Sequence, residues 1–138
     1  FISEENLEYG YSGHKLDLEP WPDVLLAMRT RLENHLQQPF NSILVNYYRD
    51  GHDCMGWHSD DEAELGSQPT IACVSLGAER LFKLKHKASG KITNIKLQSG
   101  SCLIMNGHSQ QEYQHALPKQ TTLKHPRISL TFRDIKAK

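Results

Sequence analysis

Residues 69–105 read PTIACVSLGAERLFKLKHKASGKITNIKLQSGSCLIM. Four short runs of β-branched, aromatic and aliphatic residues stand in this stretch, over 70–76, 80–85, 92–97 and 101–105. Turn formers punctuate them: Gly66-Ser67-Gln68-Pro69 ahead of the first run, Ala88-Ser89-Gly90-Lys91 and Ser99-Gly100 between later ones. Short apolar runs bounded by such residues read as strands. Two more lie outside the stretch, SILVNYY over 42–48, stopped by Asp50-Gly51, and RISLTF over 127–132. Upstream, Glu19-Pro20-Trp21-Pro22-Asp23 has the prolines and the acidic first turn of a helix start. Val24, Leu25, Met28, Leu32 and Leu36 follow at spacings of three and four and predict one amphipathic helix over 21–38, ending near Gln38-Pro39. One helix followed by many short strands predicts a mainly β, α+β domain, an antiparallel sandwich or barrel with the helix packed outside.

The chain has 138 residues and 15.8 kDa, enough for one domain, which we take to span 1–138. Apolar residues make up 38% and charged residues 23%, which excludes a disordered composition. The formal net charge of zero is a cancellation: residues 1–79 hold four basic and fourteen acidic residues, a net of −10, and the rest reverses it. A neutral sum therefore does not argue against a polyanionic partner. No apolar run approaches the roughly 18–20 residues of a membrane span, and no basic-then-apolar leader is visible, so no membrane partner is expected. Cys54, Cys73 and Cys102 are odd in number and widely spaced, which predicts free thiols in a reducing, intracellular compartment such as cytoplasm, nucleoid or nucleus. The chain opens on Phe1 rather than Met, so we expect the natural protein to extend beyond this end; a monomer is expected.

Eight histidines are present, and position selects among them. His58 and Asp60 follow a strand-like segment two residues apart. In an extended chain they share a side, with Ser59 facing away. His115, past an apolar strand and just before Leu117-Pro118, is the best third ligand. Two His and one carboxylate on one face suit a non-haem Fe(II) that activates O₂, and a Zn²⁺ with a bound water would also accept them.

Arg127 and Arg133 are six apart on the last strand, an even spacing that puts them on one face with Ser129 and Thr131. Two inward arginines need anions, and a dicarboxylate would satisfy both guanidinium forks. Asn46 and Tyr48 form a second same-face pair. A solvent-exposed face of an edge strand is the competing reading. A Zn hydrolase would leave the two arginines unexplained.

Six motifs occur in order: N-x-Y-x-D-G from Asn46, H-x-D-D-E from His58, P-x-I-A-x-V-S-x-G-A-x-R-x-F from Pro69, G-S-x-L-x-M-N from Gly100, H-x-L-P from His115 and R-x-S-L-T-F-R from Arg127. In them the chain resembles the AlkB family of Fe(II)- and 2-oxoglutarate-dependent dioxygenases, most of all the branch that repairs alkylated DNA bases. The resemblance runs from about Tyr9 to Arg133. It implies a double-stranded β-helix (jelly-roll) core over 40–134, Fe(II) on His58, Asp60 and His115, and O₂ and 2-oxoglutarate as co-substrates. It implies that Asn46, Tyr48, Arg127, Ser129, Thr131 and Arg133 surround 2-oxoglutarate. Arg127 and Tyr48 fall to the far carboxylate and Arg133 and Asn46 to the iron-proximal end. The implied reaction is oxidative demethylation of bases such as 1-methyladenine and 3-methylcytosine in DNA. The competing readings are a relative acting on RNA or protein, or an inactive nucleic-acid-binding relative.

On the substrate side the resemblance gives residues 1–20 a recognition role, with Tyr11, then Tyr9 and neighbouring Ser12, offering an aromatic face to an extruded base. Asp61 and Glu62 correspond to an acidic site at the base edge, Arg80 to a position near the active site that contacts substrate or that acidic pair, and Trp57 to pocket lining or core. From Arg80 to Gln111 there are six basic residues and no acidic one. Lys83, Lys85 and Lys87 alternate along one strand face and Lys91 follows in the turn, a strip able to track a phosphate backbone. Lysines guarding an edge strand are the competing reading.

Overall fold

A computed structural model describes residues 2–3, 10–11, 14–15 and 21–136, with side chains described from 21 onward. In chain order the elements are β1 (Ile2–Ser3), β2 (Gly10–Tyr11), β3 (His14–Lys15), α1 (Asp23–Leu36), β4 (Ser42–Tyr48), β5 (Met55–His58), a 3₁₀ turn (Ala63–Leu65), β6 (Ile71–Gly77), β7 (Arg80–His86), β8 (Ile92–Leu97), β9 (Cys102–Met105), α2 (Ser109–Glu112), β10 (Tyr113–Leu117) and β11 (Arg127–Arg133). The strands form a five-stranded sheet in the order β1-β4-β11-β6-β9, a four-stranded sheet in the order β5-β10-β7-β8, and the pair β2-β3.

Alternation along β11 organises the molecule. Ile128, Leu130 and Phe132 point to one face of the five-stranded sheet, and Arg127, Ser129, Thr131 and Arg133 to the other. On the first face Phe40, Ile43, Ala72, Val74, Leu130 and Phe132 form a buried cluster, covered by Trp21, Leu25, Met28, Leu32 and Leu36. The helix thus packs through the predicted spacing, except that Val24 is 68% exposed and does not belong to the apolar stripe. The helix ends at Gln37, which takes the left-handed conformation with φ 52°, just ahead of Pro39.

The second core lies between the sheets. Tyr48, Ile71 and Met105 from the five-stranded sheet meet Phe82, Leu97 and Leu117 from the four-stranded one. The inward polar residues of β11 open into the same interlayer space. β11 is flanked by β4 and β6, with Arg127 opposite Tyr48 and Ser129 opposite both Asn46 and Ser75. It is therefore a central strand, which removes the exposed-edge reading of its arginines. β7 is likewise central, between β10 and β8, so its lysines do not guard an edge.

The predicted helix and all six predicted strands are present, with ends shifted by a residue or so. β5 and β10 complete the four-stranded sheet, and they carry His58 and His115. Both are only four or five residues long, too short for a two-residue period to stand out in sequence. Among the described residues no helix is long and apolar enough to cross a membrane, and Cys54, Cys73 and Cys102 are free thiols.

Candidate active site

β5 and β10 run antiparallel with His58 directly opposite His115, so one imidazole from each strand projects to the same face. Their ring centroids are 4.2 Å apart. Asp60, two residues beyond His58, returns to that face: its Oδ1 lies 3.8 Å from His58 Nε2 and its Oδ2 4.0 Å from His115 Nε2. Ser59 turns away and donates to the Tyr113 carbonyl at 2.6 Å, which fastens the loop after β5 to the start of β10. One donor atom from each of the three residues lies within 4.8 Å of the other two.

The ring orientations suit a cation. His58 Nδ1 sits 2.7 Å from the Gly56 carbonyl; a carbonyl only accepts, so Nδ1 donates there and Nε2 is the nitrogen turned to the metal side. His115 is 6% exposed and stacks on Phe82 at 5.3 Å. Burial, opposed by Asp60 and reinforced by His58 and Arg133, pushes its pKa down to about 4, so this imidazole is neutral at physiological pH. Two imidazoles and a carboxylate form the donor set that fits a non-haem Fe(II) with open positions.

The same cavity continues past the triad to Asn46, Tyr48, Arg127, Ser129, Thr131 and Arg133. Arg133 lies 3.4 Å from Asp60 Oδ1 and is 3% exposed, so it stands at the triad end. Arg127 is also 3% exposed; one of its terminal nitrogens donates to Ser75 Oγ at 2.9 Å. Its Nε is buried without a hydrogen-bond partner among the described residues. A buried donor left unmatched costs about 1–3 kcal/mol, and an anionic oxygen bound in the cavity would recover it. Tyr48 lies beneath this guanidinium, 5.2 Å from ring centroid to Arg127 Cζ. A metal-ligating cluster and a buried cation share one cavity, which is what a dicarboxylate that also chelates a metal requires.

A sequence profile of the 2OG-Fe(II) oxygenase superfamily matches residues 2–133. The chain belongs to that superfamily. It is 41% identical over 139 residues to the mouse alpha-ketoglutarate-dependent dioxygenase alkB homolog 3, covering 94% of this chain and 49% of that protein. It is 41% identical over 140 residues to the mouse DNA oxidative demethylase ALKBH2, covering 96% of this chain and 59% of the relative. The chain thus spans about half the length of the curated relatives it matches. The solved structure of OsALKBH1 superposes with a TM-score of 0.68 at 21% identity, covering 86% of this chain and 68% of that one, which agrees with the jelly-roll expectation for the fold.

Within this superfamily member several residues singled out for substrate contact lie away from the cavity. Trp57 sits one residue before His58 and so faces the opposite side of the sheet; it is 39% exposed, with Lys85 Nζ 4.3 Å from its ring centroid. It is neither pocket lining nor core. Asp61 is exposed and Glu62 half-buried, on the loop leading to the 3₁₀ turn, and neither lines the cavity. Arg80 is 1% exposed and its guanidinium donates to the Asp50, Asp53 and Pro118 carbonyls and to Gln120 Oε1. It therefore contacts neither the acidic pair nor the open side of the cavity, correcting the sequence expectation; a cation this deep takes whatever acceptors surround it. Lys83 and Lys85 share the outer face of β7, while Lys87, beyond the strand end, donates to the Gln110 carbonyl at 3.3 Å, and Lys91 is exposed in the turn. Tyr9 and Ser12 lie outside the described residues, as does the Tyr11 side chain.

Two supporting residues escaped the sequence reading. Gln110, 2% exposed on α2, accepts the Asp60 backbone N–H at 2.7 Å through Oε1. Nothing in the polar run His108–Glu112 marks it. Ser75, 1% exposed, supports Arg127; its signal was a hydroxyl at an inward position of an apolar strand.

Proposed function

We propose that this protein catalyses oxidative demethylation of N-alkylated nucleobases, such as 1-methyladenine and 3-methylcytosine in DNA. 2-Oxoglutarate and O₂ are converted to succinate and CO₂, and the methyl carbon leaves as formaldehyde. The observation that carries the reading is the single cavity that holds His58, Asp60 and His115 at one end and the buried Arg127 at the other. The name of the ALKBH2 relative, a DNA oxidative demethylase, supports DNA as the substrate.

His58, Asp60 and His115 would hold Fe(II), which with bound 2-oxoglutarate supplies the oxidation of the N-methyl carbon. Arg127 and Tyr48 bind the far carboxylate of 2-oxoglutarate. Arg133 and Asn46 serve the metal-proximal end, a division supported by the approach of Arg133 to Asp60. Ser129 and Thr131 complete the polar wall, and Phe82 and Leu117 keep the metal side of the cavity dry. No side chain has to act as a base at the methyl group. From the family resemblance, Tyr9, Tyr11 and Ser12 would contact the extruded base, Asp61 and Glu62 would reach its edge from outside the metal cavity, and Lys83, Lys85, Lys87 and Lys91 would meet the phosphate backbone. The free thiols suit a reducing compartment.

Turnover of methylated DNA, methylated RNA and methylated peptide with Fe(II) and 2-oxoglutarate, followed by mass analysis, tests this reading. Loss of one methyl mass from DNA, matched by succinate, is expected. Demethylation of RNA or peptide alone would move the substrate class, and binding of DNA without succinate would leave a binding module.

A further inference from the structure

Arg80 joins two loops, the one between β4 and β5 and the one between β10 and β11, from the strand β7 that belongs to neither. The Asp50 and Asp53 carbonyls, 3.2 and 2.8 Å from its nitrogens, belong to the loop leaving β4. The Pro118 carbonyl at 3.0 Å and Gln120 Oε1 at 3.2 Å belong to the segment that follows β10. The same loops are laced by the backbone: Gly51 N–H donates to Leu123 O at 2.9 Å and Gln120 N–H to Gly51 O at 2.8 Å. The approach is so close that a Cβ on Gly51 would stand 1.7 Å from Gln120 O.

These loops hold the two residues at the far end of the cavity. Tyr48 is the last residue of β4, just ahead of the first loop. Arg127 opens β11, just after the second, and the two are register partners. The Tyr48 ring has a guanidinium on either count: Arg127 Cζ at 5.2 Å and Arg80 Cζ at 5.6 Å from its centroid, both within cation–π range.

We propose that Arg80 is a positioning residue for 2-oxoglutarate, fixing Tyr48 and the loop that delivers Arg127 and adding a buried positive charge beside the far carboxylate. The inference rests on the reading of Tyr48 and Arg127 as the holders of that carboxylate. Four acceptors in a fixed fork fit the planar guanidinium and not an ammonium. None of the four carries a full charge, and the Asp53 carboxylate, which also acts on Arg80, is itself held by Arg49. Burial, and then the charge of Arg127, press its pKa downward. A bound dicarboxylate brings negative charge to the Arg80–Arg127 pair, so Arg80 and the co-substrate stabilise each other reciprocally.

The test measures 2-oxoglutarate affinity by calorimetry on the Mn(II)-loaded protein without nucleic acid, beside KM for both substrates, kcat and Tm. Arg80→Lys keeps the charge but cannot span the acceptors; Arg80→Gln removes the charge; Gln120→Ala leaves Arg80 and deletes one acceptor. Expected losses of 2-oxoglutarate affinity are about tenfold for Arg80→Lys, about 30-fold for Arg80→Gln and about threefold for Gln120→Ala, with kcat at saturation and the oligonucleotide KM within about twofold. A lower Tm with wild-type 2-oxoglutarate affinity would overturn the inference, as would equal losses in every kinetic parameter. If the Arg80 variants do not fold, Gln120→Ala decides alone. Arg127→Ala runs alongside: if it leaves 2-oxoglutarate affinity unchanged, the reading of the cavity fails and takes the inference with it. If Arg127→Ala weakens binding while the Arg80 and Gln120 variants do not, only the role of Arg80 falls.

Discussion

His58 and His115 are register partners across the antiparallel β5–β10 pair, with rings 4.2 Å apart. Among the described residues β5 is an edge strand of the four-stranded sheet, paired only with β10. A metal taken up by these imidazoles and Asp60 would therefore tie the edge strand to its neighbour and fix the loop after it. Metal binding should stabilise the fold by about 2.7 kcal/mol at a metal concentration 100 times Kd. Thermal melts with and without Fe(II) under argon read this directly. Asp60→Ala and His115→Ala should abolish both the Tm rise and succinate formation; a rise that survives either change would remove that residue from the site.

Gln110 controls the carboxylate from behind. Its amide oxygen takes the Asp60 N–H at 2.7 Å while its Nε2 contacts Met105 Sδ at 3.6 Å, so the side chain has little freedom. Gln110→Ala leaves the Asp60 N–H buried and unmatched and frees the turn that carries the ligand. Loss of such a supporting bond typically lowers metal affinity 10–100-fold, and we expect about tenfold here by competition with a chelator. Unchanged affinity would make Gln110 a packing residue only.

Ser75 is the partner of Arg127 on the neighbouring strand, at 2.9 Å with both residues buried. Ser75→Ala leaves a second Arg127 nitrogen without its acceptor and lets the fork rotate. The KM for 2-oxoglutarate should rise about fivefold, a loss of about 1 kcal/mol and within the range of a single hydrogen bond, while Arg127→Ala raises it at least tenfold. Initial rates of succinate formation against 2-oxoglutarate concentration separate the two, and no change for Ser75→Ala would place Arg127's anchor elsewhere.

Most of this site was legible because extended strands obey parity. His58 and Asp60, Asn46 and Tyr48, and the four alternate residues of β11 each share a face by spacing alone, and the structure places all of them on one cavity. Parity also decides Trp57, whose position next to His58 sends it outward, although its identity suggested lining. Arg80 misled for another reason. It has the right parity to point inward from β7, but how deep an inward side chain lies depends on loops that no periodicity describes. Gln110 was hidden because α2 is four residues long, and a single turn has no pattern to read.

The buried His115 gives the metal-free protein an acid-sensitive window. Its pKa of about 4 lies below the ordinary value of about 6.5 in the unfolded chain. Between those values the unfolded state holds a proton that the folded state refuses, so falling pH favours unfolding. The contribution of His115 to stability is fully present above pH 6.5 and is lost as the pH falls toward 4. Denaturant midpoints of the metal-free protein should drop across this window, and His115→Gln should drop less. Parallel curves for the two proteins would show that the imidazole is already exposed to solvent.

Lys83 and Lys85 test the nucleic-acid side on its own. They project from the outer face of a central strand, and the four strands of their sheet contain no Asp or Glu to neutralise them. Lys85 caps Trp57 at 4.3 Å, so the aromatic and the charge form one exposed surface. Because this face is turned away from the metal, reversing both charges should leave 2-oxoglutarate affinity intact. If the face meets a phosphate backbone, Lys83→Glu with Lys85→Glu should weaken oligonucleotide binding and flatten its salt dependence. Each lost phosphate contact removes about 0.7 from the slope of log K against log salt for a single strand and about 0.9 for a duplex. A double variant with lower affinity and a slope reduced by about 1.4–1.8 assigns both lysines to the backbone. Wild-type affinity and slope would leave them as a solvated face and confine nucleic-acid contacts to other parts of the protein.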